Sequence, residues 1–180
     1  MTNSLRFLRN ADARYIAIGA ALAVAIVVAA PRLPLPTLLL WNASASVPIG
    51  LYVVEPGAAL HTGDLAVSNL PSQARKLAAD RGYLPADVLL IKPVAATAGS
   101  QVCRSGSTVA IDGRPKGDAQ TADHLGRPLP VWVGCSILSR DDIFLMNPRV
   151  PDSFDGRYFG PTRLSLTRGR AFPVLTFRQP

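Results

Sequence analysis

The chain has 180 residues and a formal net charge of +7, a length that holds one domain plus a small appendage and excludes two full domains. Apolar residues make up 48% and charged residues only 17%, which excludes a disordered chain, while 14 glycines and 16 prolines argue against a helical bundle and for short strands joined by turns. The basic excess is mostly arginine, scattered without a run or interleaved aromatics, so nucleic acid is not the expected partner.

The N-terminal elements come first. Arg6, Arg9 and Arg14 precede an uncharged stretch from Tyr15 to Pro31. The stretch is at the short end of what spans a bilayer, and it can borrow from the apolar, proline-broken segment Pro31 to Trp41. The expected organisation is a cytoplasmic N-terminus over 1–14, a single membrane-spanning helix with an interfacial stretch over 15–40, and an exported domain over 41–180. The arginine bias sets that orientation. A cleaved signal peptide ending at Val28-Ala29-Ala30 is the competing reading. Either way the body of the chain lies across the membrane. Cys103 and Cys135, in an insert over 100–140, fit an oxidising compartment and are expected to pair. A metal site is the competitor, but His61 and His124 supply no ligand spacing, so neither metal nor cofactor is expected.

The exported part reads as mainly β. Strands are predicted at Gly50 to Val54, Asp64 to Val67, Val88 to Val94, Thr108 to Ile111, Ser136 to Leu138 and Ile143 to Met146. Asp112-Gly113 is a hairpin turn. One short helix is predicted between Pro71 and Arg81, with proline at its start and Gly82 at its stop. Gly113 to Pro130 reads as a long polar loop.

With only two histidines, both expected in solvated turns, a Ser-His-Asp triad has little support, and a hydrolase would need another base. Lys92 interrupts the apolar run Val88 to Val94. Burial disfavours an ammonium, so a buried Lys92 has a depressed pKa; the plain alternative is an edge-strand lysine facing solvent. Ser46 stands in Asn42-Ala43-Ser44-Ala45-Ser46-Val47-Pro48-Ile49-Gly50. Such a stretch is by itself an ordinary turn, yet Pro48 and Gly50 would hold Ser46 on a rigid loop, as a nucleophile requires.

Three boxes, in order, carry a resemblance. Asn42-x-Ser44-x-Ser46-x-Pro48-x-Gly50-Leu51-Tyr52 resembles the nucleophile box of the conjugal-transfer signal peptidases, the TraF type, which are related to type I signal peptidases. Arg81-Gly82-Tyr83-Leu84-Pro85 with Leu90-Ile91-Lys92-Pro93-Val94 and Gly99 is similar to the lysine box of that family. Ser153-Phe154-Asp155-Gly156-Arg157-Tyr158-Phe159-Gly160-Pro161 is similar to its third box. The resemblance implies a signal-peptidase-like β domain with a Ser/Lys dyad: Ser46 as nucleophile, Lys92 as general base, Ser44 at the oxyanion hole and Ser153 orienting the lysine. Asp155 and Arg157 match a supporting pair, with Asp155 a candidate for a more direct part. Ser100 stands where that family's pattern has an acidic residue and Gly156 where it has a serine, both at positions that do not carry the chemistry.

Two classes of function follow. One is a serine endopeptidase in the cytoplasmic (inner) membrane, its catalytic domain facing the periplasm, cutting prepilins or other exported precursors for conjugative transfer. Its acyl-enzyme is resolved by water or by the pilin's own amine, giving a cyclic product. Its partners are the protein substrate, membrane lipid and components of the conjugation apparatus. The other is a non-catalytic envelope component of a transfer or pilus apparatus. A cytosolic Ser/Lys autoprotease of the repressor type is disfavoured by the apolar segment and the paired cysteines.

Overall fold

The computed structural model describes residues 14–25, 28 and 38–177. The chain divides into two units, Met1–Pro36 and Thr37–Pro180. In the first, residues 14–25 are helical and leave Tyr15, Ile16, Ile18, Leu22 and Val24 exposed. No helix of the described residues is long and apolar enough to cross a membrane. The rest of the expected span, residues 26–27 and 29–37, lies outside the described residues.

Among the described residues, the second unit carries two antiparallel sheets. The larger, of seven strands, has the order β1-β2-β11-β3-β4-β9-β10. It is built from β1 (Leu39–Asn42), β2 (Ile49–Pro56), β3 (Leu65–Ser68), β4 (Leu90–Ala96), β9 (Asp142–Leu145), β10 (Thr162–Arg163) and β11 (Thr167–Phe177). The smaller, of four strands, runs β7-β6-β5-β8, from β5 (Gln101–Ser105), β6 (Thr108–Ile111), β7 (Arg114–Asp118) and β8 (Gly134–Ile137). Helix α1 (Ser72–Asp80) buries Ala74 and Ala78 in a cluster with Leu70, Leu90, Val94 and Leu145, and α2 (Gly156–Phe159) is a single turn.

Short-range signals place many of these elements. Asp112 (φ 50°) and Gly113 (φ 73°) are both left-handed, the backbone of a two-residue turn that joins β6 to β7 with Ile111 opposite Arg114. Leu39 and Leu40, at the end of the expected interfacial stretch, are strand, paired with Val53 and Tyr52. Two expectations need correction. The polar loop is too long at its start, because β7 completes the hairpin. The longest strand, β11, lies between β2 and β3 and went unpredicted. Pro173 breaks its pattern, and the sheet accepts that proline at a bulge between Pro173 and Leu175.

Cys103 and Cys135 face each other across β5 and β8 and form a disulfide with a sequence separation of 32. Closing a loop of that size stabilises the fold by roughly 3–4 kcal/mol in the chain-entropy account.

Candidate active site

The turn between β1 and β2 carries Ser46, and one side chain shapes it. Asn42, buried at the end of β1, donates from Nδ2 to the carbonyls of Ser44 (2.8 Å), Val47 (3.1 Å) and Pro48 (3.0 Å) and accepts from the Ser44 N–H (3.2 Å). The Tyr52 hydroxyl donates to the Pro48 carbonyl at 2.7 Å. Gly50 (φ +151°) completes the box for a steric reason: a Cβ there would lie 2.0 Å from the Leu175 carbonyl oxygen of β11. The loop is thus held from inside and from the neighbouring strand. Ser46 itself is 8% exposed. Its Oγ lies 2.8 Å from Ser44 Oγ, and its N–H donates to that same oxygen at 3.3 Å.

Lys92 sits in β4 opposite Ala66 of β3. On the other flank β9 pairs only with Val94 and Ala96, so residues 90–92 have, among the described residues, no strand partner on that side. The alternation of the strand turns Lys92 inward, and it is 5% exposed. Its Nζ donates to Ser153 Oγ at 2.6 Å and, among the described residues, forms no salt bridge to a carboxylate. Burial lowers the ammonium pKa to about 8, with Asp155 raising it and Arg157 lowering it.

The third box supplies Ser153 and fixes it. Asp155 is fully buried and Arg157 nearly so. Arg157 grips the carboxylate with Nε (2.9 Å) and Nη2 (2.9 Å), and its backbone N–H donates to Asp155 Oδ1 at 3.1 Å. The same guanidinium donates to the carbonyls of Val150 (2.7 Å) and Ser153 (3.1 Å). The carboxylate is therefore occupied by its arginine, and the fields of the two on Lys92 oppose each other. Gly156 is required here: a Cβ would lie 2.7 Å from the Leu145 carbonyl oxygen and 2.8 Å from the Phe144 ring. The replacement of the usual serine thus answers to the packing of β9.

Ser44, Ser46, Lys92 and Ser153 line one cleft of about 1050 Å3. Asp155 and Arg157 lie outside its lining, and the disulfide is in the smaller sheet. No hydrogen bond joins Ser46 to Lys92 among the described residues: each hydroxyl or amine has its own serine partner. A strap over residues 119–130 contributes Gln120, Asp123, His124 and Leu129 to the cleft wall. Asp123 pins the strap, accepting from Arg127 Nε (2.7 Å) and from the Tyr83 hydroxyl.

Two supporting residues escaped the sequence reading. Asn147 donates from Nδ2 to the Ser46 carbonyl at 2.6 Å, and its N–H donates to Asp155 at 3.1 Å, so it bridges the first and third boxes. An Asn-Pro pair after a strand is by itself an ordinary turn signal and does not mark such a role. Buried Arg104 donates to the carbonyls of Arg157 (2.6 Å) and Pro130 (3.2 Å), tying β5 to α2. Its position in an alternating strand gave no signal.

A β domain with a loop serine and a buried lysine in one cleft has the parts of a serine peptidase that works without histidine. Comparison with known proteins places the chain: the signal peptidase family, peptidase S26, matches residues 8–176, and the chain belongs to that family. It is 36% identical over 146 residues to the probable conjugal transfer protein TraF of Sinorhizobium fredii, covering 76% of each chain. It is 32% identical over 145 residues to the plasmid transfer protein TraF of Escherichia coli, covering 76% of this chain and 82% of that one. The conjugal transfer protein TraF of Agrobacterium fabrum is 33% identical over 146 residues, with coverages of 76% and 81%. Among solved structures, a signal peptidase I from Enterococcus faecalis is 14% identical with a TM-score of 0.36, covering 63% of this chain and 97% of that one.

Proposed function

We propose that the protein is a membrane-anchored serine endopeptidase that processes exported precursors, prepilins among them, for conjugative transfer. The observation that carries the reading is a serine and a buried, depressed-pKa lysine lining one cleft. Ser46 is the nucleophile. On substrate binding its hydroxyl turns from Ser44 to neutral Lys92, which takes the proton as Ser46 Oγ attacks the scissile carbonyl. The oxyanion is held by the Ser46 N–H and the Ser44 hydroxyl, both released from their mutual bond. As the C–N bond breaks, Lys92 passes its proton to the leaving amine and an ester remains on Ser46. Water, or the precursor's own amine, then attacks that ester through the same lysine, giving a linear or a cyclic product. Ser153 holds Lys92 in place, and the Asp155–Arg157 pair fixes Ser153; no metal or cofactor takes part.

The placement proposed is the periplasmic face of the cytoplasmic membrane. It is supported by the uncharged N-terminal segment behind its arginines and by an apolar edge on β1 and β11, where Leu39, Trp41, Phe172, Val174, Leu175 and Phe177 are exposed. The names of the relatives support conjugal transfer as the setting. The test is co-expression with a panel of prepilins and other exported precursors, reading product masses. Processing after a small residue supports the reading, and a product lighter by one water than the linear peptide identifies cyclisation. A folded, membrane-bound protein that processes no member of the panel contradicts it and returns the chain to a binding role.

A further inference from the structure

The two functional positions divide their surroundings. Residues 42–45 and 88–91, which precede Ser46 and Lys92, line the main cleft. The residues that follow them, Val47, Pro48 and Pro93 to Ala95, line a separate hollow of about 430 Å3. The two openings therefore adjoin along the backbone of residues 46–48 and 92–95. The two are also joined structurally, because Asn147 lines the hollow while its side chain holds the Ser46 carbonyl.

The hollow has an apolar floor, including Val47, Leu65, Val94 and Met146, and two cations, Lys116 of β7 and Arg149 of the turn after β9. Among the described residues no aspartate or glutamate lines it. Both cationic side chains are on exposed residues, and neither forms an ion pair among the described residues. Some arginines of the domain are matched to acids, as Arg127 is to Asp123 and Arg170 to Glu55. The hollow sets two cations without an ion pair beside an apolar surface, the complement of an apolar segment that carries carboxylates.

We infer that this hollow is a second substrate subsite, which receives the segment on the leaving side of the scissile bond and selects acidic side chains in it. The larger cleft, which holds Ser44 and the strap, keeps the acyl side. The assignment rests on the peptidase reading above and adds to it the charge of the substrate. Exposed ion pairs are individually weak, so two of them change kcat/KM by between about 2-fold and 30-fold. The preference fades in high salt.

The test uses the full chain and peptides that differ only at the second and third residues after the scissile bond, with Glu, Gln or Lys there. Wild type is expected to cleave the Glu peptide fastest and the Lys peptide slowest, and Lys116→Glu with Arg149→Glu to reverse that order. Equal rates, a preference that follows charge before the bond instead, or an unchanged order in the variant overturns the inference. A second readout needs no cleavage: anisotropy of a labelled Ala-Glu-Ala-Glu-Ala peptide, which binds the Ser46→Ala protein and loses affinity with the double reversal or with Gln for Glu. If no peptide is cleaved but the acidic one binds in this way, the peptidase reading falls and the carboxylate site stands. If peptides are cleaved but the acidic one does not bind, the site falls and the peptidase stands.

Discussion

Lys92 gives the sharpest test of the chemistry. Its ammonium titrates at about 8 in place of 10.5. At pH 7 about one molecule in ten then carries a neutral amine, against about one in 3,000 for a free lysine, so burial raises the supply of base about 300-fold. The expected kcat/KM rises about tenfold per pH unit below pH 8 and levels above it, measured with a fluorogenic peptide between pH 5 and 9.5. The same shift has a cost in stability. The folded pKa lies below the unfolded one, so the native chain binds fewer protons between pH 8 and 10.5; the penalty is full below pH 8 and is relieved as pH rises toward 10.5. It amounts to roughly 3 kcal/mol, and losing the bond to Ser153 offsets about 1 kcal/mol of the gain on its removal. Lys92→Met is therefore expected to abolish cleavage while raising unfolding stability at pH 7 by about 2 kcal/mol in urea titrations, the gain shrinking toward pH 10.5. Lys92→Arg is expected to be inactive because its guanidinium keeps its proton. A rate that is flat from pH 6 to 9, an optimum near pH 4, or a Met variant less stable at pH 7 would refute the reasoning.

Three further outcomes follow from the geometry. Ser44→Ala removes an oxyanion donor and is expected to lower kcat by about 10²–10³ with little change in KM, whereas Ser44→Thr keeps the hydroxyl and much of the rate; equal activity in all three would exclude Ser44 from the site. Asn147→Ala takes the side-chain donor from the Ser46 carbonyl and the acceptor from the Arg149 N–H while keeping the backbone bond to Asp155, and is expected to lower kcat and to destabilise by about 1–3 kcal/mol; an unchanged kcat would show the side-chain bond to Ser46 to be idle. Gly156→Ser brings a side chain onto the Leu145 carbonyl and is expected to cost about 1–3 kcal/mol in thermal or urea unfolding even though it restores the residue usual in the family; unaltered stability would contradict the packing argument.

What was legible in the sequence is what local chemistry dictates. A lysine inside an apolar run reads as buried, Asp112-Gly113 reads as a left-handed turn, and Pro71 with Gly82 brackets a helix, because each signal acts over a few residues. The strand β11 was not legible. Its apolar pattern is broken by Gly169 and Pro173, and its strand character comes from partners more than a hundred residues away in β2. Asn147 and Arg104 were hidden for a related reason. Their value lies in reaching the carbonyls of Ser46 and Arg157 across the fold, and an amide or guanidinium on a strand or turn carries no mark of where it reaches. The three boxes named the cleft residues, but not the separate serine partners of Ser46 and Lys92, which only the packed structure displays.

The most direct measurement is the processing of one accepted precursor by the wild-type chain and by Ser46→Ala, both purified from membranes and shown to be folded, with products read by mass. Cleavage by the first and none by the second is expected. Cleavage at the same bond by Ser46→Ala would contradict it.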